Sequence, residues 1–431
     1  MSNRIRTLFL LGAFSLAAAT LPAQSSSRLQ EHWVATWATA QDLGPTVQER
    51  PELPPNIKMP DFSSFKGPRN PPQIPKAVED QTVRMIVHTS IAGKRARIEL
   101  SNAYGKGIVS IGEAHIAIRS TGSSIESGSD RKMTFSGSPS VEIRPGAIIV
   151  SDPVDLDIKA MSDLAVSLYV TKSEGAPTNH TVGLHTSFIS SGNTAASISM
   201  PEPTTTTAYL WLRSIDVVAS AGDFAIACLG DSITDGFATT IDKDQAWPTQ
   251  LAKRLSESKT GPRIAVLNEG ISGNEVLRDG AGVSALARLD RDILSEPGVR
   301  WIVLLEGIND INIHGQITGP GALTADDLIK GDRQLIARAH MNNIKVMGAT
   351  LTPEEGVWLA GPVGEATRQK LNEWIRTSGE FDAIVDFDIA LRDKDHPSRL
   401  REDFNPGDHI HPNDIGNGAM ADAFQLSTFG K

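Results

Sequence analysis

The sequence predicts an α/β domain, with a parallel sheet covered by helices on both faces, preceded by an all-β, sandwich-like domain. Three observations carry that reading. Short runs before residue 221 alternate apolar and polar side chains; runs after it are apolar throughout; and those later runs alternate with segments of helical spacing. At 431 residues the chain exceeds what one ordinary core organises, which independently argues for two.

The first domain is read over residues 30–220. The segments 82–88 (TVRMIVH), 96–101 (ARIELS) and 164–170 (LAVSLYV) alternate, with Gly, Ser, Asn and Pro between them, as strands of a sandwich do. Residues 50–76 break the pattern. Prolines recur there too densely for ladder pairing or helix, so the segment is read as a long loop, either a surface connector or an active-site lid.

The second domain is read over 221–431. Strands are expected at 224–229, 264–267, 301–305, 344–347 and 383–387, and helices at 248–255, 284–294, 325–340, 365–375 and 413–425. In such a sheet ligands bind beyond the carboxyl ends of the strands. Within the 284–294 helix, the stretch 285–292 (ALARLDRD) reads as a solvated, ion-pairing face, with Arg288 the one side chain that could turn toward the site.

Residues 1–23 place Arg4 and Arg6 before an apolar run that ends at Leu-Pro-Ala23, the layout of a secretory signal peptide. The run is shorter than the ~20 residues that span a bilayer, and no later segment is longer, so a secreted or periplasmic protein without an integral membrane segment is expected. The one cysteine, Cys228, forms no internal disulfide and sits in an apolar run, as a buried small hydrophobe would. A net charge of −10 without a basic stripe argues against nucleic acid as a partner. Oligomeric state has no signature.

Candidate chemistry lies at the strand ends. Gly230-Asp231-Ser232 follows the first parallel strand, with Gly236 soon after, and presents a hydroxyl at a tight turn; the same residues also serve as ordinary turn and cap formers. No lysine follows as a phosphate loop requires. The next two strands end in NEGISGN (268–274) and LEGIND (305–310), where Gly273 and Asn309 offer a backbone N–H and a side-chain amide to a developing oxyanion. Near the C-terminus, GDHIHP (407–412) supplies His411 with Asp408 three residues earlier, an imidazole and a carboxylate that could activate a serine. The competing reading is a metal cluster of His409, His411, Asp408 and Asp414. His409 otherwise reads as a local hydrogen-bonding or substrate-facing group, Asp231 as a brace for the turn, and Trp247 as packing.

Taken in order, GDS at 230–232, Ser272-Gly273, Gly307-Ile308-Asn309-Asp310 and Asp408-x-x-His411 resemble the conserved blocks of the SGNH/GDSL hydrolases, over residue 221 to the C-terminus. The resemblance implies a flavodoxin-like doubly wound sheet and a catalytic triad of Ser232, Asp408 and His411. It also implies an oxyanion hole formed by the N–H groups of Ser232 and Gly273 and the Asn309 amide. No cofactor or metal is implied. Ile308 departs from the family pattern, where Gly-Gly-Asn is common, and narrows the site. The N-terminal region, with Trp33, Trp37 and LSNAYG (100–105), resembles the extra β-domain of a secreted two-domain subgroup.

The expectation is therefore a secreted, metal-independent carboxylic-ester hydrolase acting through an acyl-enzyme, on short acyl groups such as acetyl carried by carbohydrates. The alternatives are a lipase or acylhydrolase of lipid or small aryl esters, and an inactive glycan-binding protein.

Overall fold

The computed structural model describes residues 31–43, 74–258, 261–314, 322–357 and 361–430. The signal-peptide reading at 1–23, and all of the 50–76 loop except 74–76, lie outside the described residues.

Alternating strands need a partner surface for their apolar face, and before residue 220 they find it in each other. One antiparallel sheet runs Trp33–Ala38, Leu212–Val218, Gly93–Ser101, with Ile148–Val150 and Val154–Ile158 both pairing the last. The other runs Thr204–Thr206, Ser187–Ser191, Glu79–His88, Asp163–Ser173, Val109–Ile118, with Arg131–Met133 and Val141–Ile143 on its far edge. Val83, Met85 and Val87 of one sheet share a core with Ala96, Ile98 and Leu100 of the other. The intervening Arg84 and Ile86 point to the opposite face, where Ile86 joins a small cluster with Ala165 and Phe188. Arg84 is fully buried there and donates to Ser167 Oγ and to the carbonyls of Ser123, Ala195 and Ser197.

After residue 220 five parallel strands take the order Ile264–Gly270, Phe224–Gly230, Val299–Leu305, Lys345–Ala349, Ala383–Val385. Numbered along the domain this is 2-1-3-4-5, the flavodoxin-like doubly wound order. Helices Trp247–Ser256, Ala325–Met341, Pro362–Thr377 and Asp414–Asp422 stand where helical spacing was expected. Boundaries shift by up to three residues, and two differences have a local cause. The last strand stops at Val385 because Asp386 caps a short helix, Phe387–Leu391, accepting the N–H of Ile389. The 284–294 helix is α-helical over Ala285–Leu289 and a π-turn over Asp290–Leu294.

The antiparallel region also covers part of the parallel sheet: Ala225, Ala265 and Leu267 belong to the sandwich core. Thr39 bridges to Asn268, and Ser90 Oγ donates to the Val266 carbonyl at 2.9 Å. The strand order and this seam decide what stands near the strand ends. In register, Gly230 pairs Gly270 on one side and Leu305 on the other, so the segments beginning at Asp231, Ile271 and Glu306 leave the sheet side by side.

Candidate active site

The turn after Phe224–Gly230 depends on two glycines. A Cβ on Gly230 would stand 2.1 Å from Thr234 Oγ1, and one on Gly236, at φ +100, would stand 2.6 Å from Ala246 Cβ. Between them Asp231 takes an extended conformation and caps the one-turn helix Ser232–Asp235, its Oδ1 accepting the Ile233 N–H at 2.9 Å. Asp231 is the brace its position suggested; burial pushes its carboxyl well above the usual range. Ser232 opens the helix with 5% of its surface exposed.

Ser232 Oγ lies 2.8 Å from His411 Nε2, and His411 Nδ1 lies 2.7 Å from Asp408 Oδ2. Asp408 Oδ1 also accepts the backbone N–H groups of Ile410 and His411. Burial raises the Asp408 carboxyl, but the hydrogen bond and charge of His411, with those N–H groups, outweigh it and hold the group below its ordinary value. The Phe237 ring packs 4.6 Å from the imidazole. The loop itself is ordered by Asn405, whose Oδ1 accepts from the N–H of Gly407 and His409.

The residues of the metal reading do not converge. His411 has both nitrogens engaged as described, His409 faces Asn405 Nδ2 at 3.0 Å, and Asp414 holds the N–H and hydroxyl of Thr240. Among the described residues, ligand-type atoms do gather at His88, Asp163 and Asp244, away from this triad. There His88 Nδ1 is hydrogen-bonded to Asp163, which Arg119 holds from the other side.

Gly273 has φ +83, a left-handed conformation natural to glycine. Asn309 sits in the first turn of Ile308–His314, its Nδ2 donating one hydrogen to the Asn274 carbonyl at 2.9 Å; an amide retains a second. Two carboxylates fix this loop. Asp310 accepts the N–H of Val276 and Leu277, and Asp235 accepts both the N–H and hydroxyl of Ser272 at 2.9 and 2.7 Å.

The solvated, ion-pairing face expected over 285–292 holds at Asp290, which is exposed and meets Arg338 at 2.9 Å, but not at Arg288 and Asp292. Arg288 and Asp292 are buried, and the Arg288 guanidinium donates to Asn274 Oδ1, to the carbonyls of Glu269 and Gly230, and to Glu306. It thereby ties all three strand ends together from behind. Sequence spacing held a sign of this: Ala285, Arg288, Leu289 and Asp292 stand at i, i+3, i+4 and i+7, the buried face of a helix. Burial in the same layer pushes the Glu269 and Glu306 carboxyls well above their usual range. His180, Asp235 and Glu275, all close to these loops, were also missed.

Against known proteins, residues 228–419 match the model of the GDSL-like lipase/acylhydrolase family. No curated protein matches the sequence. Among solved structures the chain is similar to a GDSL-like lipase from Bacteroides thetaiotaomicron (17% identity over 48% of this chain and 88% of that one, TM-score 0.36). It is also similar to a psychrotrophic esterase from a Pseudoalteromonas species (18%, 48% and 96%, TM-score 0.36). A third similarity is to a catalytic mutant of an acetylxylan esterase from Geobacillus stearothermophilus (21%, 49% and 95%, TM-score 0.36). By the family match, residues 228–419 form a GDSL-like lipase/acylhydrolase domain, and the chain is a carboxylic-ester hydrolase.

Proposed function

We propose that the chain is an exported serine esterase that removes short acyl groups, acetyl foremost, from carbohydrates through an acyl-enzyme on Ser232. The observation that carries the mechanism is the continuous chain from Ser232 Oγ through His411 to Asp408, at 2.8 and 2.7 Å. His411 Nε2 takes the hydroxyl proton as Oγ bonds to the ester carbonyl carbon. The oxygen, now negative, is held by the N–H groups of Ser232 and Gly273 and by the Asn309 amide. Collapse breaks the bond to the alkoxy oxygen, which leaves with the proton from His411; water, deprotonated by the same nitrogen, then releases the acid and restores Ser232. Asp408 stays ionised and keeps the imidazole oriented.

The substrate class draws on the signal-peptide reading and on the sandwich region beside the hydrolase domain.

The test is a substrate panel with the purified protein. Acetate release from acetylated xylan, faster than hydrolysis of long-chain esters and unchanged by a chelator, is the expected result. Faster turnover of long acyl chains reverses the substrate assignment, and failure of a fluorophosphonate to label Ser232 favours the inactive glycan-binding alternative.

A further inference from the structure

Asp235 closes the helix that Ser232 opens, and its carboxylate has two faces. Oδ2 accepts both hydrogens of Ser272, the residue before Gly273. Oδ1 stands 3.1 Å from His180 Nε2, a side chain contributed by the antiparallel region, where Asn179–His180 pairs Tyr209–Leu210. His180 and Asp235 are both buried, at 4% and 2% exposed. A buried carboxylate needs a countercharge, and among the described residues His180 is the only cationic group paired with Asp235.

The imidazole is suited to that duty. Its Nδ1 lies 3.8 Å from Asp42 Oδ1, so it stands between two carboxylates. Burial alone would lower its basicity, but Asp235 and Asp42 outweigh it and raise the group to about 9, keeping it cationic at neutral pH. The rest of the same loop also presses on the turn. A Cβ at Gly236 would stand 2.8 Å from Leu184 Cδ1, the Leu184 carbonyl accepts the Asp242 N–H, and His185 Nε2 meets Asp244 at 2.9 Å.

We propose that His180 is a positioning residue for ester hydrolysis: by holding Asp235, and through it Ser272, it fixes the direction of the Gly273 N–H. The antiparallel region then completes the active site. The inference rests on the reading of Ser232 as nucleophile and Gly273 as oxyanion donor.

A double-mutant cycle on the full-length protein tests it. His180→Gln removes the charge with little change in volume, and Ser272→Ala removes the hydroxyl contact. If His180 acts through Asp235 and Ser272, His180→Gln lowers kcat on p-nitrophenyl acetate by about 10- to 100-fold, a fraction of what loss of a whole oxyanion donor costs, with little change in KM. The double variant then loses no more than the worse single variant. Losses that multiply, or a rise in KM at constant kcat, overturn the proposal. Hydrogen exchange of the peptide spanning residues 270–276 gives a readout independent of turnover: faster exchange in His180→Gln supports the strut, and unchanged exchange overturns it. Retained activity in Ser232→Ala overturns the nucleophile reading instead, and the exchange result still reports on His180.

Discussion

Arg288 Nε donates to Asn274 Oδ1 at 2.8 Å from beneath the site, while another of its nitrogens donates to the carbonyl of Gly230 at 2.9 Å, so one buried cation fixes the serine turn against the oxyanion loop. Arg288→Met keeps the length and removes the charge. It strips a donor from Glu306, from Asn274 Oδ1 and from the carbonyls of Glu269 and Gly230, and is expected to destabilise the fold by about 3–5 kcal/mol, read from the urea midpoint. Arg288→Lys keeps the charge without the planar fork, and should recover part of the stability while activity stays low. Equal midpoints for Arg288→Met and wild type would remove Arg288 from this role.

Why the sequence showed Arg288 only as a side chain that could turn toward the site, on a face read as solvated, while the sheet was plain, follows from how each signal is written. Strands apolar on both faces, such as 224–229 and 301–305, have one physical explanation, and the parallel sheet stands at those positions. A charged side chain on a helix is usually solvated, so the charges of 285–292 outweighed their spacing. Asp386 shows the same ambiguity on a smaller scale, a strand-end residue by pattern and a helix cap in fact. For the site, Ser232, Gly273 and Asn309 lie in short motifs at strand ends and Asp408 and His411 in one loop before the last helix, which made them candidates. His180 and Asp235 stand 55 positions apart in different architectural regions, and no periodicity links them. Only the packing of the sandwich on the parallel sheet brings them together.

Asp408 holds His411 by two kinds of bond, carboxylate to Nδ1 and carboxylate to backbone N–H. Asp408→Asn preserves the shape but offers the imidazole an amide in place of the charge that fixes its tautomer. A loss of about 10⁴ in kcat is expected, with the fold intact by circular dichroism. Ser232→Ala and His411→Ala should fall at least as far, and combining either with Asp408→Asn should add little, because the three act as a unit. Independent, multiplying losses would mean that they do not.

Asn309 is the donor that a single substitution can remove, since Gly273 and Ser232 contribute through the backbone. Asn309→Ala should lower kcat by about 10²–10³, roughly 3–4 kcal/mol, and leave KM nearly unchanged because the oxyanion exists only on the way to and from the acyl-enzyme. The Nδ2 bond to the Asn274 carbonyl is lost as well, so the thermal midpoint of the variant must be measured alongside its kinetics. A KM effect with kcat preserved would assign Asn309 to ground-state binding.

The buried ionisable groups set a direction for stability against pH. Burial, reinforced by the Asp310 charge, raises Glu275 from 4.5 to about 8, and the two carboxylates beside His180 raise it from 6.5 to about 9. In both cases the folded chain keeps a proton that the unfolded chain has released, Glu275 between pH 4.5 and about 8 and His180 between 6.5 and about 9. Stability from these groups is therefore full below the lower value and is lost as pH rises through the upper one. His314, lowered from 6.5 by its burial, works in the opposite sense but only below 6.5, and Asp163, held at about 2, matters only below 3.8. The decline should accordingly be clearest from pH 6.5 to 9. Urea midpoints across that span should fall, Glu275→Gln should flatten the lower part and His180→Gln the upper. A midpoint that climbs with pH over the same span would show that these two groups are not held protonated in the folded chain.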